Sequence, residues 1–429
     1  MADDAISYGI ETLAVHAGAA PDPVTGSRAT PIHQTTAFVF DDVDHAASLF
    51  NLQAFGNIYS RLTNPTVAVL EQRLAGLENG RGAVATASGH SAQLLAFHVL
   101  MEAGDHFIAA KQLYGGSLTQ FGQSFKKFGW ESTTVDATNV QNFRDAMRPN
   151  TKAIFIENLA NPGGVVVDIE AVAAIAHEAG IPLIVDNTLA SPFLCRPFEW
   201  GADIVLHSMT KFLGGHGNSL GGMIVDSGKF DWAQNDKYPT LTQPNASYHG
   251  LKFYETFGDM AYTLAIRALS LRDLGPALSP TNAFYILNGI ETLPLRMERH
   301  CDNTLKVAEF LETHPKVDWV SYAGLKSSPY YDLGQKYLPR GAGAVFTFGV
   351  KGGFESGVTL VENVELFSHL ANIGDTRSLI IHPASTTHRQ LEEVELIAAG
   401  AGPDVVRLSV GIESVEDIIR DLDQALAKV

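Results

Sequence analysis

Lys211 closes the run His207-Ser208-Met209-Thr210-Lys211, directly after the apolar stretch Ile204-Val205-Leu206. An amine just past the end of a buried strand can form a Schiff base with an aldehyde. The hydroxyls beside it and the local backbone N–H groups can take a phosphate. A second apolar run, Pro182-Leu183-Ile184-Val185, ends in Asp186. A buried carboxylate there can keep a pyridine nitrogen protonated. An acid for the ring nitrogen and an amine for the aldehyde together describe a site for pyridoxal 5'-phosphate.

Each piece alone is weak. A lysine after a strand is more often a solvated surface residue, and a strand-terminal Asp is usually a turn former or a helix N-cap. Their arrangement is more informative. Side chains just beyond the carboxyl ends of neighbouring parallel strands converge on one crevice. Asp186 and Lys211 hold that position on two consecutive strand-like runs. Ser88-Gly89-His90 lies where a further strand turns into a helix, a natural phosphate site whose glycine lets the backbone come close. Tyr114, in Leu113-Tyr114-Gly115-Gly116, could stack on an aromatic ring; Asn161, in Asn161-Pro162, could donate to a phenolate oxygen. Both also read as ordinary turn residues.

These groups need a scaffold, and the pattern from about residue 64 to 225 supplies one. Helix-like Thr66–Leu77, Ser91–Met101 and Ile169–Ala179 alternate with apolar runs at Ala83–Ala85, Phe107–Ala110, Ala153–Ile156, Leu183–Val185 and Ile204–Leu206. Continuously apolar strands alternating with helices predict an α/β fold with a mostly parallel sheet covered on both faces. Residues 226–260 break the rhythm and read as an ordered excursion on the surface or over a site. A long helix around Ala283–Leu311 is expected to bridge to a smaller α+β domain. That domain contains the run Ala344–Phe348, a helix Leu360–Ala371, the run Val405–Ser409 and a closing amphipathic helix. Residues 1–63 carry little periodicity, and so long an irregular stretch makes better sense as an arm lying across another subunit. The expected division is therefore an arm (1–63), a cofactor-binding domain (64–285) and a C-terminal domain (286–429).

Composition narrows the function. A chain of 429 residues exceeds one ordinary core. Its net charge of −17 argues against nucleic acid or an anionic membrane as partner. Two distant cysteines, Cys195 and Cys301, give neither a disulfide scaffold nor a metal cluster, and no metal is expected. No apolar stretch approaches the about 18 residues of a membrane span, and the start is acidic without an apolar leader. A cytoplasmic, soluble enzyme fits.

In order along the chain stand Tyr59-Ser60-Arg61-Leu62-Thr63-Asn64-Pro65-Thr66, Ser88-Gly89, Tyr114-Gly115-Gly116, Asp186-Asn187-Thr188, Ser208-Met209-Thr210-Lys211, His382-Pro383-Ala384-Ser385 and Arg407-Leu408-Ser409-Val410-Gly411-Ile412-Glu413. The chain resembles the Cys/Met-metabolism PLP-dependent enzymes, the cystathionine γ-synthase-like branch of fold-type I. The resemblance implies that Lys211 carries the cofactor, Asp186 partners its ring nitrogen and Tyr114 stacks on the ring. Ser88, Gly89, the backbone of His90, Ser208 and Thr210 would hold the phosphate, completed by Tyr59 and Arg61 from a neighbouring subunit. Arg407 would take the substrate α-carboxylate, with Asn161, Ser378 and Tyr59 near substrate. Position 90 departs from the Met or Gln of many relatives, but only its backbone should matter.

Within the family, three stretches resemble the branch that acts on O-acetylhomoserine. They are Lys211–Gly217, the extended segment with Tyr248-His249-Gly250 and Phe257-Gly258 running on to Leu271–Pro276, and Gly374–Leu379. The implied reaction is γ-replacement: Lys211 moves protons at Cα and Cβ, acetate leaves Cγ, and sulfide or methanethiol adds. Tyr114 would sit near the leaving group. A homo-oligomer, at least a dimer and by family expectation a tetramer, follows from the shared site. Rival readings are a methionine γ-lyase, a cystathionine-forming enzyme or an O-succinylhomoserine enzyme of the same family. A nucleotide-binding α/β protein would need a G-x-G-x-x-G after the first strand, which Ser88-Gly89-His90-Ser91 does not supply. A non-catalytic relic is disfavoured because Lys211, Asp186 and Arg407 are all present.

Overall fold

The computed structural model describes residues 8–162, 164–387, 389, 396 and 400–429. A seven-stranded sheet forms its centre, with β1 (Gly82–Thr86), β2 (His106–Ala110), β3 (Glu131–Val135), β4 (Thr151–Glu157), β5 (Leu183–Asp186), β6 (Ile204–Ser208) and β7 (Gly222–Asp226) in the order β1-β7-β6-β5-β4-β2-β3. Only β7 runs against its neighbours. Every residue of β1, β2, β4 and β7 is buried, as expected of strands covered by helices on both faces. β3 is an edge strand of half-exposed polar residues, Glu131-Ser132-Thr133-Thr134-Val135, so its sequence carries no apolar run.

The helices begin where capping residues stand. Asn64 accepts the Thr66 N–H before helix Pro65–Glu78, Ser88 accepts the Ser91 N–H before helix Gly89–His98, and Asp168 accepts the Ala171 N–H before helix Ile169–Glu178. Two glycines let the first site loop close. A Cβ at Gly222 would fall 2.0 Å from the Ser88 carbonyl oxygen, and one at Gly89 would fall 2.8 Å from the Ser208 Cβ. The turn after β1 is thereby pressed against the ends of β7 and β6.

The second sheet has five strands: β8 (Val317–Ser321), β9 (Val345–Val350), β10 (Ser368–His369), β11 (Leu379–Ile381) and β12 (Val405–Ser409), ordered β10-β11-β12-β9-β8. Helix Leu293–Thr313 packs on β8, and the closing helix Val415–Leu426 packs on that helix and on helix Phe354–Asn363. No helix among the described residues is long and apolar enough to cross a membrane.

Several expectations are corrected. The single bridge around Ala283–Leu311 is two helices, Pro280–Glu291 and Leu293–Thr313, which meet at Thr292 ahead of Pro294. The helix expected over Leu360–Ala371 is Phe354–Asn363 and ends eight residues before the expected Ala371. Asp421, on the closing helix, accepts the N–H groups of Glu365, Leu366 and Phe367, and so takes the donors a longer helix would need. The first 63 residues are not wholly irregular: Ile10–His16 and Val43–Phe50 are helical. The excursion at 226–260 folds into short helices and contributes no lining residue to the candidate site; Tyr248 and Phe257 instead face Leu49, Phe55 and Leu62 across an apolar cavity.

Candidate active site

The carboxyl ends of β4, β5 and β6 present Glu157, Asp186 and Ser208 to one cavity of about 250 Å³. The loops after β1 and β2 add Ser88, Gly89, His90 and Tyr114, and the segment after β6 adds Thr210 and Lys211. From the second sheet come Arg407, on β12, and the loop Ala371-Asn372-Ile373. The site therefore sits at the carboxyl ends of the central strands of one sheet, faced by residues of the other.

Lys211 donates from Nζ to the Asn372 side-chain oxygen at 2.6 Å. Burial, and then the Arg407 charge, bring the amine down to about 8, so a neutral nucleophile is accessible near neutral pH. Arg407 donates from Nη1 to Asn161 Oδ1 at 3.2 Å and from Nη2 to the Asn372 carbonyl at 3.3 Å. Burial lowers its guanidinium to about 10, which leaves it a cation at any ordinary pH.

Asp186 accepts from the Thr188 N–H at 3.0 Å and the Thr188 hydroxyl at 2.5 Å, and Thr188 Oγ1 in turn accepts the Ser208 N–H at 2.8 Å. Burial pushes the Asp186 carboxyl upward. Beside it in the β4–β5 register stands Glu157, whose Oε1 accepts the Tyr114 N–H at 2.7 Å and whose Oε2 accepts the Asn161 N–H at 3.0 Å. Burial, and then the Asp186 charge, push the Glu157 carboxyl upward, while the two backbone N–H groups it accepts favour its charged form.

Around the entrance, the Tyr114 ring is half exposed and meets the His90 ring edge-on at 5.9 Å. Ser88 Oγ lies 2.9 Å from Ser91 Oγ, and Thr210 Oγ1 accepts the Gly221 N–H at 3.2 Å. The helix beginning at Gly89 points its positive end at this corner.

The donor set fits pyridoxal phosphate group by group: an amine for the aldehyde, a buried carboxylate for the ring nitrogen, an aromatic face for the ring, and hydroxyls at a helix N-terminus for the phosphate. Most site residues expected from the sequence meet here. Three do not. Ser378 is fully buried and does not line the cavity, its hydroxyl donating to Glu413 Oε2 at 3.0 Å and accepting the Gly411 N–H at 2.9 Å; from the same loop it is Asn372 that lines the cavity. Tyr59 and Arg61 lie outside the cavity of their own chain, the Arg61 guanidinium 5.4 Å above the Tyr59 ring centre. Glu157 escaped sequence reasoning although it ends the apolar run Ala153–Ile156 just as Asp186 ends its own. Asn372 carries no local signal.

The family model for Cys/Met metabolism PLP-dependent enzymes matches residues 11–427. The chain belongs to this family. Among its relatives, the O-acetyl-L-homoserine sulfhydrylase of Leptospira meyeri is 53% identical over 428 residues, covering 98% of this chain and 97% of that one. O-acetyl-L-homoserine sulfhydrylase 1 of Thermus thermophilus is 49% identical over 419 residues, covering 97% of this chain and 99% of that one. A crystal structure from Campylobacter jejuni is similar with a TM-score of 0.95 and 41% identity, covering 98% of this chain and 100% of that one. That protein, provisionally named an O-acetylhomoserine (thiol)-lyase, carries N'-pyridoxyl-lysine-5'-monophosphate. Like the rest of its family, this chain is a PLP-dependent enzyme of fold-type I.

Proposed function

We propose that this chain is an O-acetylhomoserine sulfhydrylase, which replaces the γ-acetoxy group of O-acetyl-L-homoserine with sulfide or a small thiol. The products are L-homocysteine or methionine, and acetate. The observation that carries the chemistry is the Lys211 amine, held by Asn372 and facing Arg407 across a cavity floored by Asp186. Similarity from end to end to chains that bear the sulfhydrylase name supports the substrate.

The residues divide the work. Arg407 takes the α-carboxylate through two N–H groups, with the Asn161 amide beside it, and so fixes where Cα stands. Lys211, once its amine is free, takes the proton from Cα and then moves the proton at Cβ; an amine that titrates near 8 can do both at neutral pH. Pyridoxal phosphate, when bound, supplies the electron sink that makes the Cα proton removable. Asp186 keeps a positive charge at the ring nitrogen. Tyr114 covers the ring and stands near the departing acetate. Asn372 gives the freed amine a resting acceptor that cannot itself take its proton.

Ser88, Gly89, the backbone of His90, Ser208 and Thr210 hold the phosphate in this reading. Tyr59 and Arg61 complete it from a neighbouring subunit, which gives the arm 1–63 its purpose and makes the enzyme a dimer at least, with a tetramer expected. Two free cysteines, both buried, suit a reducing cytoplasm.

Purified enzyme incubated with O-acetylhomoserine, with and without sulfide, tests the proposal. Homocysteine formed only when sulfide is present is the expected result. Sulfide-independent 2-oxobutanoate as the main product would make the chain a γ-lyase.

A further inference from the structure

Glu157 is a buried carboxylate on the cavity wall for which the reaction above has no use, and burying it next to Asp186 is costly. A glutamine or an apolar residue of similar size would avoid that like-charge neighbour. What the carboxylate does is accept two backbone donors at once. Oε1 holds the N–H of Tyr114, in the loop after β2, and Oε2 holds the N–H of Asn161, in the loop after β4. Tyr114 brings the ring that faces the cavity, and Asn161 brings the amide oxygen that receives Arg407. One side chain thus connects the ring-covering residue to the substrate-carboxylate clamp.

We propose that Glu157 is a positioning residue, fixing the backbone at Tyr114 and Asn161 so that ring stacking and substrate carboxylate binding keep one geometry. The inference rests on the roles given above to Tyr114 and Arg407. Only an anionic or doubly accepting group serves, because both partners are donors. An amide has one acceptor oxygen, and its NH2 would face an N–H.

The test uses full-length holoenzyme carrying Glu157→Gln or Glu157→Ala. Hydrogen exchange should speed up at the amides of Tyr114 and Asn161 and leave the strand interior Ile154–Ile156 unchanged. The circular dichroism of the bound cofactor's visible band should change, because the ring cover has shifted. The KM for O-acetylhomoserine should rise about tenfold, the scale of one lost charge-assisted hydrogen bond, with a smaller fall in kcat. If Glu157→Ala does not fold, Glu157→Gln carries the test, since its shape is conserved. In an Asn161→Ala background Glu157→Gln should add little further to KM.

Unchanged exchange at both amides, an unchanged dichroism band and additive effects on KM would overturn the proposal and leave Glu157 a structural carboxylate. Exchange and dichroism do not depend on which reaction the enzyme runs. A wild-type enzyme that makes no homocysteine would therefore overturn the function proposed above without touching this inference.

Discussion

Asp186 and Tyr59 belong to one proposed site but to two kinds of backbone. Asp186 ends a strand paired on both sides, is tied by Thr188 to Ser208, and shares its depth with Glu157. Tyr59 sits on a segment whose regular pairing is one isolated bridge to Ala37; the residue is 43% exposed, and its neighbour Arg61 rests on its ring. The strand-end groups are preorganised by the fold of a single chain. The arm groups are left available, as side chains destined for another surface would be. Catalysis needs fixed acid, base and charge, which the first region supplies. Phosphate capture can be completed on assembly, which the second region allows.

The largest effect should come from the rigid region. Lys211→Ala should reduce turnover by at least about a hundredfold, the scale of a lost general base, and abolish the yellow colour of the holoenzyme. Retained turnover would remove the distinction between the two regions. Arg407→Ala should raise the KM for O-acetylhomoserine by roughly a hundredfold, as loss of a buried two-pronged ion pair does, with kcat less affected. A steady-state comparison with Arg407→Lys separates charge from fork geometry.

The arm can be tested by mixing. Arg61→Ala should weaken cofactor retention, and mixing Arg61→Ala with Lys211→Ala subunits should recover up to about a quarter of wild-type activity, because a statistical mixture of symmetric dimers contains sites whose two halves are both intact. No recovery would place Arg61 and Lys211 in the same chain's site.

The smallest effect is electrostatic. Lys211 in the folded apoenzyme titrates near 8, below its ordinary 10.5. Between these values the unfolded chain binds more protons, so this lysine lets stability rise with pH across that window; below about 8 its buried charge is a constant cost. Apoenzyme carrying Lys211→Met should lose that rise, measured as the difference in thermal midpoint between pH 8 and pH 10. Arg407→Ala should move the amine back upward by removing the neighbouring cation.

The sequence displayed the rigid region well for a physical reason. Strands buried on both faces are unbroken apolar runs, and the residue that ends each one stands out, as Asp186 does after Ile184-Val185. Glu157 obeys the same rule, ending Ala153–Ile156, but the turn signal Asn161-Pro162 just beyond it is the stronger local feature. β3 was invisible because an edge strand of Glu, Ser and Thr has no apolar signature. The loop from Ala371 to Ser378 is hard to read for a different reason: it is shaped by distant partners. Gly374 N–H donates to Ser409 Oγ, Thr376 N–H to the Gly215 carbonyl, and Ser378 is held by Glu413. No local pattern encodes those contacts, so the sequence gives no sign that Asn372 lines the cavity while the Ser378 hydroxyl turns to Glu413.

The claim beneath all of this is that the chemistry gathers on one amine. Reducing the holoenzyme with borohydride and mapping its peptides tests that most directly. The account predicts a phosphopyridoxyl group on Lys211, in near-stoichiometric yield, and none on Lys211→Ala. Recovery of the label on another lysine, or on none, would contradict it.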